Sequence, residues 1–358
     1  MKTIIEPNII NLVKKLELNS DIGFGKFMMP IMLTCEYKDG AWGDLHLGPY
    51  RKFEIDPSSK VLHYGQEIFE GLKAYKNEKD ELFLFRPEKN AQRFNRSADR
   101  MAMPNFPEEK FVEGVALMAA YSRQIIPRRL GESLYLRPFM FANEVGLGIA
   151  VSNNYLFTII ASPSGAYFSS DSIKVFVERT SSRAAAGGTG FAKTGGNYAA
   201  GLLSSIKCKE AGCNQVLWLD AAEKKYIEEM SGMNFFAIIN GELHTPQLTN
   251  TILEGVTRDS ILELARSLGY KTVEEKLPIN ELLKLVKEKK CTEAFVCGTA
   301  SVIVPIGSFH EENGTVYKLA DDEGKISLIL KDKLLRIQAG LEISPVPTWI
   351  HKIPKIDF

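Results

Sequence analysis

Cysteine is sparse in this chain of 358 residues: Cys35, Cys208, Cys213, Cys291 and Cys297 form an odd set without a C-x-x-C pair. That argues against a disulfide framework and a thiolate zinc site, and the five read as small buried hydrophobes in a reducing compartment, the cytoplasm. Histidine is equally thin. His46, His63, His244, His310 and His351 are scattered, with no H-E-x-x-H among them, so no metal centre is expected. Charge of one sign is missing too, since 44 Lys and Arg balance 44 Asp and Glu. No global field therefore points to nucleic acid or an anionic membrane as partner. No apolar run approaches the roughly 18–20 residues that span a bilayer. Near the N-terminus, Glu6 and Pro7 stand where a signal peptide would need its apolar stretch. A G-x-S-x-G nucleophile elbow is absent as well. What is present, 45% hydrophobic and 25% charged residues, suffices to bury a real core in one large or two ordinary domains.

Strand and helix patterns alternate along the chain. Period and composition predict strands at Glu81–Phe85, Leu134–Ala142, Tyr155–Ala161, Ile173–Glu178, Val216–Leu219 and Phe235–Ile239. Pro138 inside the second of these suggests an edge strand or a local bend. Helices are expected at Asn90–Met101, Glu108–Ser122, Tyr198–Ala211, Thr257–Leu268 and Ile279–Lys289. Gly212 and Gly269 serve as stops, and Asn240-Gly241 as a hairpin turn. The stretch SPSGAYFSS at 162–170 is rich in Ser, Gly and Pro and marks a domain boundary. The fold class is thus α/β (α+β type) in two domains: residues 1–165, an interdomain loop at 166–176, and a larger domain at 177–358.

The segment GGTGFAKTGGNY at 187–198 sets one lysine, Lys193, among five glycines between a strand and a helix. It nearly fits a phosphate-binding loop, G-x-x-x-x-G-K-[ST], but Ala192 stands where the penultimate glycine must wrap a phosphate. The other reading is a Schiff-base lysine, whose amine must be partly unprotonated, a state that burial and nearby cations favour. Pyridoxal phosphate then needs an acid at its ring nitrogen, a phosphate anchor and a donor to its phenolate oxygen. Glu228 or Glu229 is the acid, only one of which can face the ring. The helix start near Thr257, after Gly255 and Val256, offers free amides and a positive dipole end for the phosphate. Arg93 supplies a bidentate charge, and Tyr198 a phenol.

Taken together, these segments resemble branched-chain amino acid aminotransferases, which are fold-type IV pyridoxal-phosphate enzymes. The resemblance runs through LHYGQEIFEGLKAY at 62–75, LFRPEKNAQRFNRSA at 84–98, LYLRPFMFANEVGLG at 134–148, PSGAYF at 163–168, FAKTGGNYAA at 191–200, EEMSGMNFF at 228–236, LEGVTRDSILELA at 253–265 and CGTASVIVPI at 297–306. It implies that Lys193, in the C-terminal domain, is the Schiff-base lysine, Tyr198 its phenolate partner and Glu229 the ring-nitrogen carboxylate. It further assigns Arg93, Val256, Thr257 and Thr299 to the phosphate, with Arg183 near the cofactor. Tyr135 and the Thr299-Ala300 backbone match the α-carboxylate site, and Arg137 the γ-carboxylate site for glutamate. Phe24, Tyr64, Phe69 and Tyr167 match the apolar side-chain pocket, with Tyr64 donated by the partner of a homodimer. The implied reaction is transamination of leucine, isoleucine and valine with 2-oxoglutarate. A D-amino acid aminotransferase or an aminodeoxychorismate lyase of the same fold would keep Lys193 and Glu229 and change the pocket. Some animal members carry a C-x-x-C redox pair after the Thr-Ala turn; here Ser301 and Val304 hold those positions.

Overall fold

The apolar runs become strands of two separate sheets in a computed structural model that describes residues 1–17, 22–165, 172–320 and 324–356. The first sheet contains β1 (Thr3–Ile5), β2 (Ile31–Lys38), β3 (Ala41–Trp42), β4 (Leu45–Pro49), β5 (Glu67–Phe69), β6 (Leu72–Lys76), β7 (Leu82–Phe85), β8 (Ser133–Ala142), β9 (Tyr155–Ser164) and a late strand, Ile350–Ile353. Its order is β1-β4-β2-β9-β8-β6-β7-(Ile350–Ile353), with β3 beside β2 and β5 beside β8. Along β8 the residues alternate: Leu134, Leu136 and Met140 are fully buried, whereas Tyr135, Arg137 and Phe139 are only half-buried on the other face. The helices Pro87–Arg100 and Glu108–Tyr121 add Phe94 and Phe111 to the sheet's Phe157, and Phe106 stacks on Phe157 at 3.9 Å. Each such buried ring contributes about 1.5–3 kcal/mol over its exposed state.

Pro138 does not mark an edge. β8 is central, paired with β9 along its length and with β6 and then β5 on its other side. Proline is tolerated there because it faces the gap between β6 and β5, where only its carbonyl is used, accepting the Glu70 N–H at 2.7 Å.

The second sheet contains β10 (Ile173–Glu178), β11 (Gln215–Leu219), β12 (Ile227–Met230), β13 (Asn234–Ile239), β14 (Glu242–Pro246), β15 (Thr272–Glu275), β16 (Cys291–Gly298), β17 (Val302–His310) and β18 (Val316–Lys318). Its order is β12-β11-β10-β17-β16-β13-β14-β15, with β18 on β17 and a further β12–β13 pairing. That last pairing closes β12, β11, β10, β17, β16 and β13 into a ring without a free edge. Asn240 and Gly241 both take positive φ, 51° and 82°, in the β13–β14 hairpin. The helix expected over 198–211 is two, Gly195–Ala199 and Leu202–Glu210. The break falls at Gly201, whose Cβ, if present, would lie 3.2 Å from Trp218. Leu202, Leu203 and Ile206 on the second of these are exposed.

The chain folds as two compact units: Met1–Tyr167 with Ala192–Gly195 and Arg336–Phe358, and Phe168–Phe191 with Gly196–Leu335. This differs from a simple division into 1–165 and 177–358. β10 begins inside the span expected as a loop, whose residues 166–171 lie outside the described ones. The C-terminal residues return to the first unit because Ile350–Ile353 pairs with β7 and Trp349 is buried against Phe85 under Arg86. The lysine segment also belongs to the first unit. Its main chain is held there by Phe69 N–H to Lys193 O at 2.9 Å and by Lys193 N–H to Ser97 Oγ at 2.9 Å. Among the described residues, no helix is long and apolar enough to cross a membrane, no His/Cys/Asp/Glu group would hold a metal, and all five cysteines are free and buried.

Candidate active site

In the first unit, the residues around Lys193 form a charged and aromatic cluster. Lys193 Nζ lies 4.8 Å from the Phe69 ring centroid. Phe69 ends β5, and the next residue, Glu70, is fully buried. Glu70 accepts from Arg93 Nε at 2.7 Å, Arg93 Nη2 at 2.8 Å, Asn90 Nδ2 at 2.8 Å and its neighbour Gly71 N–H at 3.0 Å. Burial by itself would raise this carboxyl, but the Arg93 guanidinium, Lys193 and Asn90 outweigh it and hold it below its ordinary value. Ser97, one turn beyond Arg93, donates to the Arg93 carbonyl while receiving the Lys193 N–H. One helix face thus positions both Arg93 and Lys193. On the other flank, Glu67 accepts the Gly195 N–H and the Thr194 hydroxyl.

The same unit brings together Tyr135, Arg137, Phe69 and Phe24. Arg137 Nη2 donates to the Tyr135 hydroxyl at 3.0 Å, and its guanidinium lies 4.8 Å from the Phe69 centroid. Phe24 meets Tyr135 edge-on at 4.9 Å. Gly71 is required here, since a Cβ would overlap the Tyr135 hydroxyl. Tyr64 is exposed, and its contacts are the Leu147 carbonyl and the His63 ring rather than this group. Tyr167 lies outside the described residues.

In the second unit, Glu229 on β12 is buried with three donors around it. Arg183 Nη2 stands at 2.7 Å, Asn234 Nδ2 at 3.0 Å and the Leu253 N–H at 3.3 Å. Asn234, on the paired strand β13, also donates to the Leu253 carbonyl at 3.0 Å. The turn 253–255 leads into the helix Val256–Ser267, whose start has no side-chain cap. Val256 and Thr257 therefore present their amides with the positive end of a twelve-residue helix dipole. Gly255 permits this turn, because a Cβ would overlap Asn234 Oδ1. Thr299, Ala300 and Ser301 form the turn between β16 and β17, and Ser301 and, on β17, Val304 are buried. Tyr198 packs near Gly232, on the turn that follows Glu229.

Glu70, Asn90, Ser97 and Asn234 are additions that the pattern of the sequence does not single out. All four are buried polar residues inside motifs already quoted, and that is their one signal: such groups are rarely buried without a partner.

A buried carboxylate clamped by arginine and amide, an uncapped helix start, and a lysine over an aromatic ring are the parts that a pyridoxal-phosphate transaminase requires. The family model for amino-transferase class IV matches residues 67–309, and the chain belongs to that family. The branched-chain-amino-acid aminotransferase of Mycolicibacterium smegmatis is 45% identical over 327 residues, 89% of each chain. The branched-chain aminotransferase of Thermoproteus uzoniensis, solved with norvaline, superimposes with a TM-score of 0.75 at 26% identity, over 90% of this chain and 100% of that one. The branched-chain amino acid aminotransferase of Escherichia coli gives 0.73 at 25% identity, over 89% and 99%. Within the class, both the fold and the sequence are those of the branched-chain aminotransferases.

Proposed function

We propose that the protein transfers the amino group of leucine, isoleucine or valine to 2-oxoglutarate, using pyridoxal 5′-phosphate and a ping-pong sequence. The donor set fits that cofactor. Val256 and Thr257 amides at an uncapped helix start, with Thr299, suit a phosphate, and Arg93 adds charge to the same group. Glu229, already able to hold a guanidinium at 2.7 Å, suits a protonated ring nitrogen. Arg183 and Asn234 keep it oriented, and Tyr198 serves the phenolate oxygen. Lys193 is the residue that would hold the cofactor covalently.

When bound there, pyridoxal phosphate would supply a carrier for the amino group and a sink for the charge left at Cα. Lys193 Nζ removes the Cα proton as general base and returns it as general acid. Its main chain is fixed on both sides by Ser97 and Phe69, so the amine pivots from a set point. Tyr135 and the Thr299-Ala300 backbone orient the α-carboxylate. Phe24 and Phe69 line the place of an apolar side chain and exclude water, and Tyr167, outside the described residues, is assigned to the same pocket by the resemblance. Such a pocket separates Leu, Ile and Val by only about 1–3 kcal/mol per methylene, so all three are substrates. Arg137, held against Phe69 and Tyr135, receives the γ-carboxylate of glutamate. Tyr64 acts on the partner's site in a homodimer. Its exposure, with that of Val145, Leu147, Ile149 and Val151, supports an assembly that covers this strip. Five buried thiols suit the cytoplasm.

The observation that carries this reading is the Lys193 amine over Phe69 with its backbone fixed beside the Glu70–Arg93 pair. Lys193→Ala is expected to lose leucine transamination and the visible absorbance of the bound cofactor together. Borohydride trapping followed by peptide mapping is expected to label Lys193; a label on another lysine refutes the assignment.

A further inference from the structure

β12 carries two consecutive buried glutamates, and only Glu229 has a place in the reaction above. Glu228 is 6% exposed, its Oε1 accepts the Thr251 hydroxyl, and its Oε2 is buried with no hydrogen-bond partner among the described residues. Thr251 in turn lends its carbonyl to Arg183 Nη2. That same nitrogen reaches Glu229 Oε1 at 2.7 Å and the Gly190 carbonyl at 3.3 Å. Arg183 Nε, like Glu228 Oε2, is buried without a hydrogen-bond partner among the described residues. Guanidinium direction is therefore set through one nitrogen, and the Thr251 carbonyl is one of its few fixed points. The Thr249 hydroxyl, 2.8 Å from that of Thr251, backs the same residue. A buried carboxyl with an unpartnered oxygen is costly, and packing alone gives β12 no reason to carry one next to Ile227 and Met230.

We propose that Glu228 is a positioning residue for Glu229: it holds the Thr251 hydroxyl, so that the Thr251 carbonyl aims Arg183 at the carboxylate that would hold the cofactor's ring nitrogen. This rests on the reading of Glu229 given above. The charged groups facing Glu228 are Arg183, Asp220 and Lys224; burial raises its carboxyl, and the Thr251 hydroxyl and Arg183 counter part of that rise.

The test is a pH titration of the bound cofactor's visible absorbance in the holoenzyme, alongside cofactor affinity by equilibrium dialysis. Glu228→Ala is expected to move the midpoint by about one unit and to weaken cofactor binding roughly tenfold, the equivalent change on the affinity scale. Glu228→Gln keeps a carbonyl oxygen for Thr251 and is expected to stay near the parent value. Thr251→Val removes the hydroxyl but keeps the shape and the main-chain carbonyl, and is expected to match Glu228→Ala. Should Glu228→Ala fail to fold, Thr251→Val carries the test. The double variant is expected to move no further than either single one. Unmoved midpoints in Glu228→Ala and Thr251→Val, a Glu228→Gln as displaced as the alanine variant, or additive shifts in the double variant overturn the proposal. Glu229→Gln separates the two levels. If it moves the midpoint while Glu228→Ala does not, the positioning role alone fails; if it leaves the midpoint unmoved, the Glu229 reading fails and this proposal with it.

Discussion

Glu70→Gln isolates the contribution of the fully buried ion pair next to the lysine. The substitution keeps the volume and one carbonyl oxygen, but the new amide turns two hydrogens toward donors, since all four groups around Glu70 are N–H. Arg93, 4% exposed, then keeps its charge without the carboxylate that compensates it. Removing one partner of a buried pair costs about 3–5 kcal/mol. No solvent screening reduces that figure, since Glu70 is fully buried. For a unit of this size each kcal/mol lowers Tm by about 2–4 °C, so a fall of roughly 6–20 °C is expected. Calorimetry on wild type and variant reads it directly. The pH dependence has a fixed sign. Glu70 lies below its ordinary value in the folded protein, so its stabilisation is complete above the unfolded pKa, near about 4.3, and fades as pH falls through the lower folded value. The gap between the two proteins is thus expected to hold from pH 8 to 5 and to shrink in stronger acid. Replacing both Glu70 and Arg93 by methionine is expected to recover much of the loss, because the uncompensated charge goes with them. A Tm drop under about 2 °C, or a gap that widens on acidification, refutes the reasoning.

Arg137→Ala is expected to raise KM for glutamate by tenfold or more, about 1.4 kcal/mol, with a much smaller change for leucine; equal changes in steady-state assays with both substrates count against the γ-carboxylate role. Gly255→Ala forces Asn234 from its place, because the new methyl overlaps Asn234 Oδ1. Weaker cofactor affinity and a stability loss of about 1–3 kcal/mol in urea are expected, and an unchanged variant would show that the turn yields without cost. Trp349→Ala empties a site buried against Phe85 and Arg86; a loss of about 3–5 kcal/mol is expected in denaturant unfolding of the first unit.

Much of the fold is legible in the sequence because period-2 and period-3.6 patterns are local. β10 and the cores of β8, β9, β11 and β13 read off directly, as do the helices Glu108–Tyr121 and Val256–Ser267. The remainder depends on partners distant in the chain. Pro138 signals an edge by its missing N–H, yet sits in a central strand because the neighbouring ladder is interrupted there. No local pattern tells Ile350–Ile353 to return to β7, and the helix Lys325–Gln338, whose first amides Glu293 accepts from afar, is equally hidden. In the candidate site, Lys193, Glu229 and the helix start at Val256 carry recognisable motifs. Glu70, Ser97 and Asn234 matter through buried hydrogen bonds, and burial is a property of the folded chain, not of a spacing.

The return of Ile350–Ile353 to β7 bears on how the chain is made. During synthesis the outer hydrogen-bonding groups of Leu82, Leu84 and Arg86 stay open until residues roughly 265 positions later have emerged. At roughly 5–20 residues per second that is a wait of about 15–50 s, in which the nascent N-terminal sheet presents an unguarded rim to other nascent chains. In the second unit the longest such wait is shorter, since β10 meets β17 roughly 130 positions later.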